Sequence, residues 1–398
     1  MFKNIQSSAA DPIMSLMEAY LQDANPHKVN LGIGLYYDEW GNIPLMRAVQ
    51  QAERRLLDAG QPHGYPPIEG SAPFAHQVQA LLLGADTVGD SRHLATVQTV
   101  GGSGALKLAA DFLSHYLSRR EIWVSDPTWA NHWAIFGGAG LRVNAYPYFD
   151  NDSGELRFAE MLETLGALPA GTVVLLHPCC HNPTGTDLSQ AQWRATIEVM
   201  QQRRLLPLFD LAYQGFGGGL EEDGYALRET LKTDLDFLIC NSFSKNVALY
   251  GQRLGALTVC CRNAADAANV KGALKTLIRR SYSCPPTHGS QIVETLLADP
   301  ALRRMWQDEL DAMRQRIRQM RLQLASGLER GGSTLDYRRI RDCHGMFSYT
   351  GLQPRQLDEL RHRYAIYLVE PGRMCLPGLN PANIDYVTSA ILDVTRSA

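Results

Sequence analysis

The chain has 398 residues, of which 45% are hydrophobic and 20% are charged, and its formal net charge is −3. This composition predicts a globular protein with enough apolar residues for two lobes. No basic run is present, which argues against a nucleic-acid or membrane-surface partner. The N-terminal residues lack the apolar core of a secretory signal, and no window approaches the roughly 18 apolar residues of a membrane span, so we expect a cytoplasmic protein.

The first forty residues contain a short amphipathic segment at 12–21 and an apolar run at 29–35, which Gly32 and Gly34 interrupt. Glycines within a strand pattern suggest the close approach of another backbone or of a ligand, and an ordinary loop is the alternative. A loop punctuated by proline and glycine follows at 63–70 and carries Tyr65.

Beyond this loop, short apolar segments alternate with helical ones. Strands are predicted at Leu94–Val100, 122–124, Val173–Leu176, 205–209, 237–240 and 254–261. This alternation predicts an α/β domain with a mostly parallel central sheet. Ser189 and Gln192 form the pattern of a capping box, which starts the helix after the third strand.

A long helix is predicted from Pro300, with Asp299 as its N-cap and Gly331 as its end. The remainder of the chain looks like a smaller α+β unit that packs with the N-terminal segment. We therefore expect an N-terminal arm and part of the small domain at 1–40, a large domain at 41–312 and a small domain at 313–398.

Eight cysteines are scattered singly or as adjacent pairs, several of them within apolar runs. This favours buried, reduced thiols. His177, Cys179, Cys180 and His181 lie close together in the chain, which raises the alternative of a zinc site. Because no second ligand pair follows at zinc-finger spacing, we expect no metal.

The ends of the predicted strands carry polar clusters, which is where open α/β sheets bind ligands. They comprise Gly101-Gly102-Ser103-Gly104, Trp129, Asn182, Asp210 with Tyr213, and Ser242 with Ser244 and Lys245, and Arg253 lies further on. A desolvated lysine is an amine fit to form a Schiff base, and arginine, serine and helix-start amides suit a phosphate. With a carboxylate for the ring nitrogen and an aromatic ring for stacking, these are the parts that pyridoxal phosphate requires.

Each part also has a plainer explanation. Gly101–104 could be a dinucleotide-binding loop, but position 107, where a third glycine is needed, is Lys107. Asp210 could cap a turn, Trp129 could belong to the core, and the segment 182–185 could be an ordinary turn. Arg373 could be a surface charge.

The motifs resemble class I pyridoxal-phosphate aminotransferases of the aspartate/aromatic subgroup, and within it the bacterial aromatic-amino-acid branch, over nearly the whole chain. The resemblance is carried by the segments 30–37, 98–107, 124–129, 175–185, 210–216, 241–245 and 345–351. It implies the type I fold of these enzymes, a homodimer with composite active sites, and ping-pong transfer of the amino group of aromatic L-amino acids and of aspartate or glutamate to 2-oxoglutarate.

The resemblance also implies a role for each matching residue. Lys245 would bind the cofactor and move the proton, while Asp210, supported by His132, would pair with the ring nitrogen. The other cofactor contacts would be Gly102, Ser103, Trp129, Asn182, Tyr213, Ser242, Ser244 and Arg253, with Tyr65 from a second subunit. The substrate would contact Gly34, Trp129, Asn182 and Arg373, with Arg279 of the neighbouring subunit meeting a side-chain carboxylate.

Ser281, the Pro66-Pro67 pair beside Tyr65, and Glu370-Pro371 depart from the family pattern. They bear on substrate preference and leave the cofactor chemistry unaffected. The alternatives are therefore a narrow aspartate aminotransferase and, further off, a lyase or decarboxylase with the same cofactor. An aminotransferase-like module of a transcription regulator would need a basic DNA-binding domain, and only about forty residues precede the core.

Overall fold

The computed structural model of the protein describes residue 2 and residues 11–60, 62–85 and 93–396. The chain divides into a large unit, Pro44–Gln315, and a small unit formed by Met1–Ile43 and Arg316–Ala398. The domain bounds expected from the sequence stay a prediction. None of the helices in the described ranges is both long and apolar enough to cross a membrane.

The described strands are β1 (Val29–Asn30), β2 (Leu94–Val100), β3 (Glu121–Asp126), β4 (Arg142–Pro147), β5 (Val173–Leu176), β6 (Leu206–Leu211), β7 (Phe237–Ser242), β8 (Leu254–Cys260), β9 (Phe347–Tyr349), β10 (Ile366–Tyr367) and β11 (Arg373–Cys375). The α-helices of the large unit are α2 (Arg47–Ala59), α3 (Ala72–Leu83), α4 (Gly101–His115), α5 (Asn131–Gly137), α6 (Phe158–Ala167), α7 (Gln190–Arg203), α8 (Leu220–Asp223), α9 (Tyr225–Leu231), α10 (Ala264–Ser281) and α11 (His288–Ala298). The remaining α-helices are α1 (Pro12–Gln22), α12 (Pro300–Arg330), α13 (Arg338–Arg341), α14 (Pro354–Tyr364) and α15 (Ile384–Arg396).

The large unit is built on a seven-stranded sheet with the strand order β2-β8-β7-β6-β5-β3-β4. Strand β8 runs antiparallel to both of its neighbours, and the other neighbouring strands are parallel. The predicted α/β fold with a mostly parallel sheet is therefore confirmed.

Helices cover both faces of this sheet. Since successive residues along a strand point to opposite faces, each central strand packs against helices on both sides. Leu208 of β6 joins a buried cluster with residues of α4 and α10, such as Leu113 and Ile278. The next residue, Phe209, packs on Trp193 of α7, with ring centroids 6.2 Å apart. This double burial explains why β5, β7 and β8 are apolar without alternation.

Two helix starts follow the chemistry expected from the sequence. Ser189 and Gln192 form the capping box at α7. Asp299 accepts the backbone N–H groups of Ala301 and Leu302 at 2.8 and 2.9 Å, which caps α12 at Pro300.

Two strand expectations differ from the structure. Strand β4 was not predicted, because it pairs only with β3 at the sheet edge and most of its residues are partly exposed. The apolar run 29–35 forms a strand only at Val29–Asn30. A Cβ atom at Gly32 would lie 2.5 Å from the Leu16 side chain, so a glycine is needed for this close approach.

The small unit has α+β character. Strand β1 pairs in parallel with β10, and β9 pairs antiparallel with β11. Helices α14 and α15 pack against each other in the same unit. All eight cysteines lie in the described ranges and none of them forms a disulfide. Only Cys284 and Cys343 are partly exposed, in agreement with the expectation of buried thiols.

Candidate active site

Polar residues of the large unit converge on one edge of its sheet. Gly101 follows β2, Asp210 lies near the end of β6, and Ser242 ends β7. Arg253 precedes β8, and because β8 is antiparallel, its first residues lie beside Ser242 at that same edge. The topology thus brings together residues from four strands.

Asp210 is a buried carboxylate held by histidines. It is 7% exposed, its Oδ2 lies 3.1 Å from Nε2 of His132 and 3.8 Å from Nε2 of His177, and Nδ1 of His132 lies 2.8 Å from the Thr128 hydroxyl. Burial alone would raise the pKa of Asp210, but the hydrogen bond with His132 and nearby positive charge, including that of Lys245, hold it below its ordinary value. The site therefore keeps a negative charge on Asp210 at neutral pH.

Thr128 and His177 were not assigned roles from the sequence. Thr128 lies just before α5, four residues before His132. His177 follows β5 directly, and burial lowers its pKa to about 4, so it is neutral at pH 7. The proximity of Asp210 raises that pKa only in part. Both residues shape the surroundings of the carboxylate.

Lys245 lies beside two buried hydrogen-bonding groups. Its Nζ is 5.0 Å from the centre of the Tyr213 ring. Nδ2 of Asn182 donates to the Tyr213 hydroxyl at 3.4 Å, and both of these residues are buried. An amine, a phenol and an amide therefore share this part of the edge.

A second cluster, formed by Gly101, Gly102, Ser242, Ser244 and Arg253, can hold an anion. The Ser242 hydroxyl donates to the Ser244 hydroxyl at 3.1 Å, and Nη1 of Arg253 donates to Ser244 at 3.5 Å. Gly101 has φ +70°, and a Cβ there would lie 2.5 Å from the Arg253 guanidinium. Glycine thus lets the start of α4, with its free N–H groups and Ser103, approach an arginine and two hydroxyls.

Trp129 is half-buried and meets His132 edge to face, with centroids 5.3 Å apart. The neighbouring His181 bonds to Ser125 at 2.9 Å and to Thr184 at 2.8 Å, so both of its ring nitrogens already have hydroxyl partners.

Among the described residues, two groups have the proximity that a metal ion needs: His132-His177-Asp210 and Cys179-Cys180-Asp223. The absence of a metal stays a prediction.

Two expected substrate residues lie in the small unit. Arg373 begins β11, is 4% exposed and donates to the Gly32 carbonyl at 2.7 Å. Its guanidinium lies 4.4 Å from the centre of the Phe347 ring, and a Cβ at Gly34 would lie 3.0 Å from that same ring. The surface-charge interpretation of Arg373 is therefore wrong, because the side chain is buried.

Tyr65 and Arg279 are not part of these clusters. Tyr65 is 96% exposed. Arg279, near the end of α10, is also exposed and donates to the Ser283 hydroxyl. Both side chains are accessible on the surface of the single chain.

Comparison with known proteins identifies the family. Residues 26–391 match the model of the family "Aminotransferase class I and II", so the chain belongs to this family. It is 48% identical to the aromatic-amino-acid aminotransferase of Escherichia coli, over 99% of this chain and 100% of that protein. It is 44% identical to the aspartate aminotransferase of Pseudomonas aeruginosa, over 99% of both chains.

A solved structure has the same fold. The aromatic-amino-acid aminotransferase of Burkholderia pseudomallei, covalently bound to pyridoxal phosphate, matches with a TM-score of 0.97 and 46% identity, over 99% of both chains.

Proposed function

We propose that the protein is an aminotransferase that uses pyridoxal 5'-phosphate. It moves the amino group of aromatic L-amino acids, and of aspartate or glutamate, to 2-oxoglutarate in a ping-pong reaction. The observation that carries the proposal is the buried Asp210 at the same sheet edge as Lys245 and the anion cluster, in a chain of the aminotransferase family. The names of the Escherichia coli and Pseudomonas aeruginosa relatives support the two substrate classes.

The residues of this edge fit the cofactor. The anion cluster offers a guanidinium, two hydroxyls and helix-start N–H groups, which suit a phosphate dianion. Asp210, kept ionised by His132, is the partner that a protonated pyridine nitrogen needs. When bound, pyridoxal phosphate acts as an electron sink that stabilises the negative charge left on the substrate Cα.

The residues of the chain then supply binding, orientation and proton transfer. Lys245 would hold the cofactor through its amine and would move the proton that leaves the substrate Cα. Tyr213 and Asn182 would hydrogen-bond the ring oxygen of the cofactor, and Trp129 would supply an aromatic surface for its ring. His132 holds Asp210 in place, with its own ring fixed by the Thr128 hydroxyl.

Substrate binding rests on arginines. Arg373 grips the α-carboxylate in a bidentate pair near the Gly34 backbone. Arg279 meets the second carboxylate of aspartate or glutamate, and leaves room for a ring when an aromatic substrate binds.

We further propose that the active unit is a homodimer, in which Tyr65 and Arg279 serve the site of the partner subunit. The exposure of both side chains on the single chain supports this assignment. The protein is proposed to act in the cytoplasm.

The test is a transamination assay with 2-oxoglutarate and either L-tyrosine or L-aspartate as amino donor. We expect glutamate to form with both donors. Activity confined to L-aspartate would favour the narrow aspartate aminotransferase. Consumption of the amino acid without glutamate formation would overturn the proposal in favour of a lyase or decarboxylase.

A further inference from the structure

The large unit contains a cavity of about 390 Å³ at the end of the sheet opposite to the active site. Leu206 and Leu238, which lie at the amino ends of β6 and β7, form part of its wall. Asp210 lies four residues further along β6, which is about 13 Å at roughly 3.3 Å per residue. The volume falls in the range of small-molecule sites, and the cavity is separate from the active site.

The inner wall of the cavity is apolar. Besides the two leucines, it includes Phe112 of α4, Val259 of β8 and Val270 of α10. Phe112, Leu238 and Val259 also belong to the core cluster, so this wall is held rigidly by the sheet and its helices. A ligand with an apolar body would bury its surface here, at about 25 cal/mol per Å².

The two carboxylates of the cavity already have partners. Asp236 accepts the backbone N–H of Arg262 at 3.1 Å and lies 3.5 Å from its Nε. Asp266 accepts from the Asn263 side chain at 2.7 Å. Within the described ranges, neither carboxylate forms an ion pair with the other arginines that line the cavity.

Those arginines are Arg119 and Arg204, and within the described ranges neither guanidinium has a carboxylate partner. Nε of Arg119 is buried and has no hydrogen-bond partner there. A Cβ at Gly171, where φ is +77°, would lie 2.7 Å from Nη1 of Arg119, so the glycine makes room for this guanidinium. A buried donor without a partner costs free energy unless a ligand satisfies it.

We propose that the cavity binds a small carboxylic acid with an apolar body about the size of an aromatic ring. The carboxylate pairs with Arg119 and Arg204, and the body lies on the wall formed by Leu206, Leu238 and Phe112. A guanidinium selects a carboxylate by its planar fork of donors, and the apolar wall disfavours a small, fully hydrated anion such as phosphate. The ligand does not compete with the substrate, because the cavity is at the other end of the strands.

Calorimetric titration of the holoenzyme with 3-phenylpropionate tests the proposal. Maleate, an unreactive dicarboxylate, is present at saturation so that the catalytic site is blocked. We expect binding of one molecule per chain that maleate does not displace. Arg119→Met and Arg204→Met should each weaken it at least about tenfold, since each removes a charge-assisted pair.

Two further variants sharpen the test. Arg120→Met is the matched control, because Arg120 is exposed, follows Arg119 in the chain and lies outside the cavity. This variant should bind 3-phenylpropionate as tightly as the wild type. Val270→Trp should abolish binding by filling the cavity while both arginines remain. Binding that maleate displaces completely, or that survives both arginine substitutions and Val270→Trp, would overturn the proposal. All four variants should retain transamination, so failure here is distinguishable from failure of the proposed function.

Discussion

Replacing Asp210 by Asn isolates the contribution of one negative charge. The variant keeps the shape of the side chain and an oxygen that can accept the hydrogen bond of His132. In the wild type this bond spans 3.1 Å, and the carboxylate is 7% exposed. A unit charge at a comparable distance from the cofactor ring nitrogen, at an effective dielectric constant of about 20, stabilises the protonated ring by roughly 5 kcal/mol.

If this stabilisation is needed in the transition state, the loss corresponds to about a 10⁴-fold fall in kcat. The assay is steady-state transamination of L-aspartate and L-tyrosine, with cofactor occupancy checked by absorbance. Asp223→Asn is the control, because Asp223 is a buried carboxylate that accepts backbone N–H groups of Gly215, Gly217 and Gly218 and has no assigned role toward the cofactor or the substrate. A fully loaded Asp210→Asn enzyme with kcat within tenfold of the wild type would refute the role of this charge.

Three other predictions concern specificity, pH and stability. Arg279→Leu should lower kcat/KM for aspartate about 100-fold and leave kcat/KM for tyrosine within threefold, because in the proposed site only the dicarboxylate pairs with that guanidinium. Equal losses for the two substrates, or the same pattern in the control variant Arg280→Leu, would contradict this. Burial raises the pKa of Asp223 to about 6. The folded state therefore binds more protons than the unfolded state between about pH 4 and 6, and the free energy of unfolding falls by roughly 3 kcal/mol as the pH rises through this range. The free energy of unfolding of the wild type relative to Asp223→Asn should change by this amount between pH 4 and 7, and no change would count against the assignment. Arg321→Met should lower the free energy of unfolding, measured with urea, by about 3–5 kcal/mol, because buried Arg321 donates to three carbonyls and a hydroxyl within 340–348. Arg318 is exposed, so the control variant Arg318→Met should change this free energy little.

The sequence predicted the centre of the sheet well because β5, β6 and β7 are buried on both faces. Their sequences are therefore unbroken apolar runs, which are easy to recognise as strands. The polar residues at the ends of these runs indicate the edge of the sheet at which the site lies. Strand β4 was missed since its burial is partial and its residues do not alternate cleanly. Edge position, which depends on tertiary pairing, has no local signature.

The position of Arg253 shows what the sequence alone could not supply. Arg253 precedes its strand, whereas the site residues from β2, β6 and β7 lie at the carboxyl ends of their strands or just after them. Only the antiparallel direction of β8 brings Arg253 beside Ser242 and Ser244. The sequence does not show why position 101 is glycine. In the structure the Arg253 guanidinium packs against Gly101 and leaves no room for a side chain there. Strand direction is a property of pairing and is not encoded in a single segment.

The expected contributions of Tyr65 and Arg279 depend on a second chain. Their exposure is compatible with that role, and the resemblance to the family was the only source of the prediction. The buried pair of Arg373 and Phe347 could not be inferred from spacing, because 26 positions separate them in sequence.

The most direct test of the proposed function is to identify the lysine that carries the cofactor. The holoenzyme is reduced with borohydride, digested and mapped by mass spectrometry. The proposed role of Lys245 predicts a phosphopyridoxyl group on that residue and on no other lysine, and no adduct in Lys245→Ala. An adduct on Lys107, Lys271 or Lys275 in the wild type, or an unchanged yield in Lys245→Ala, would contradict it.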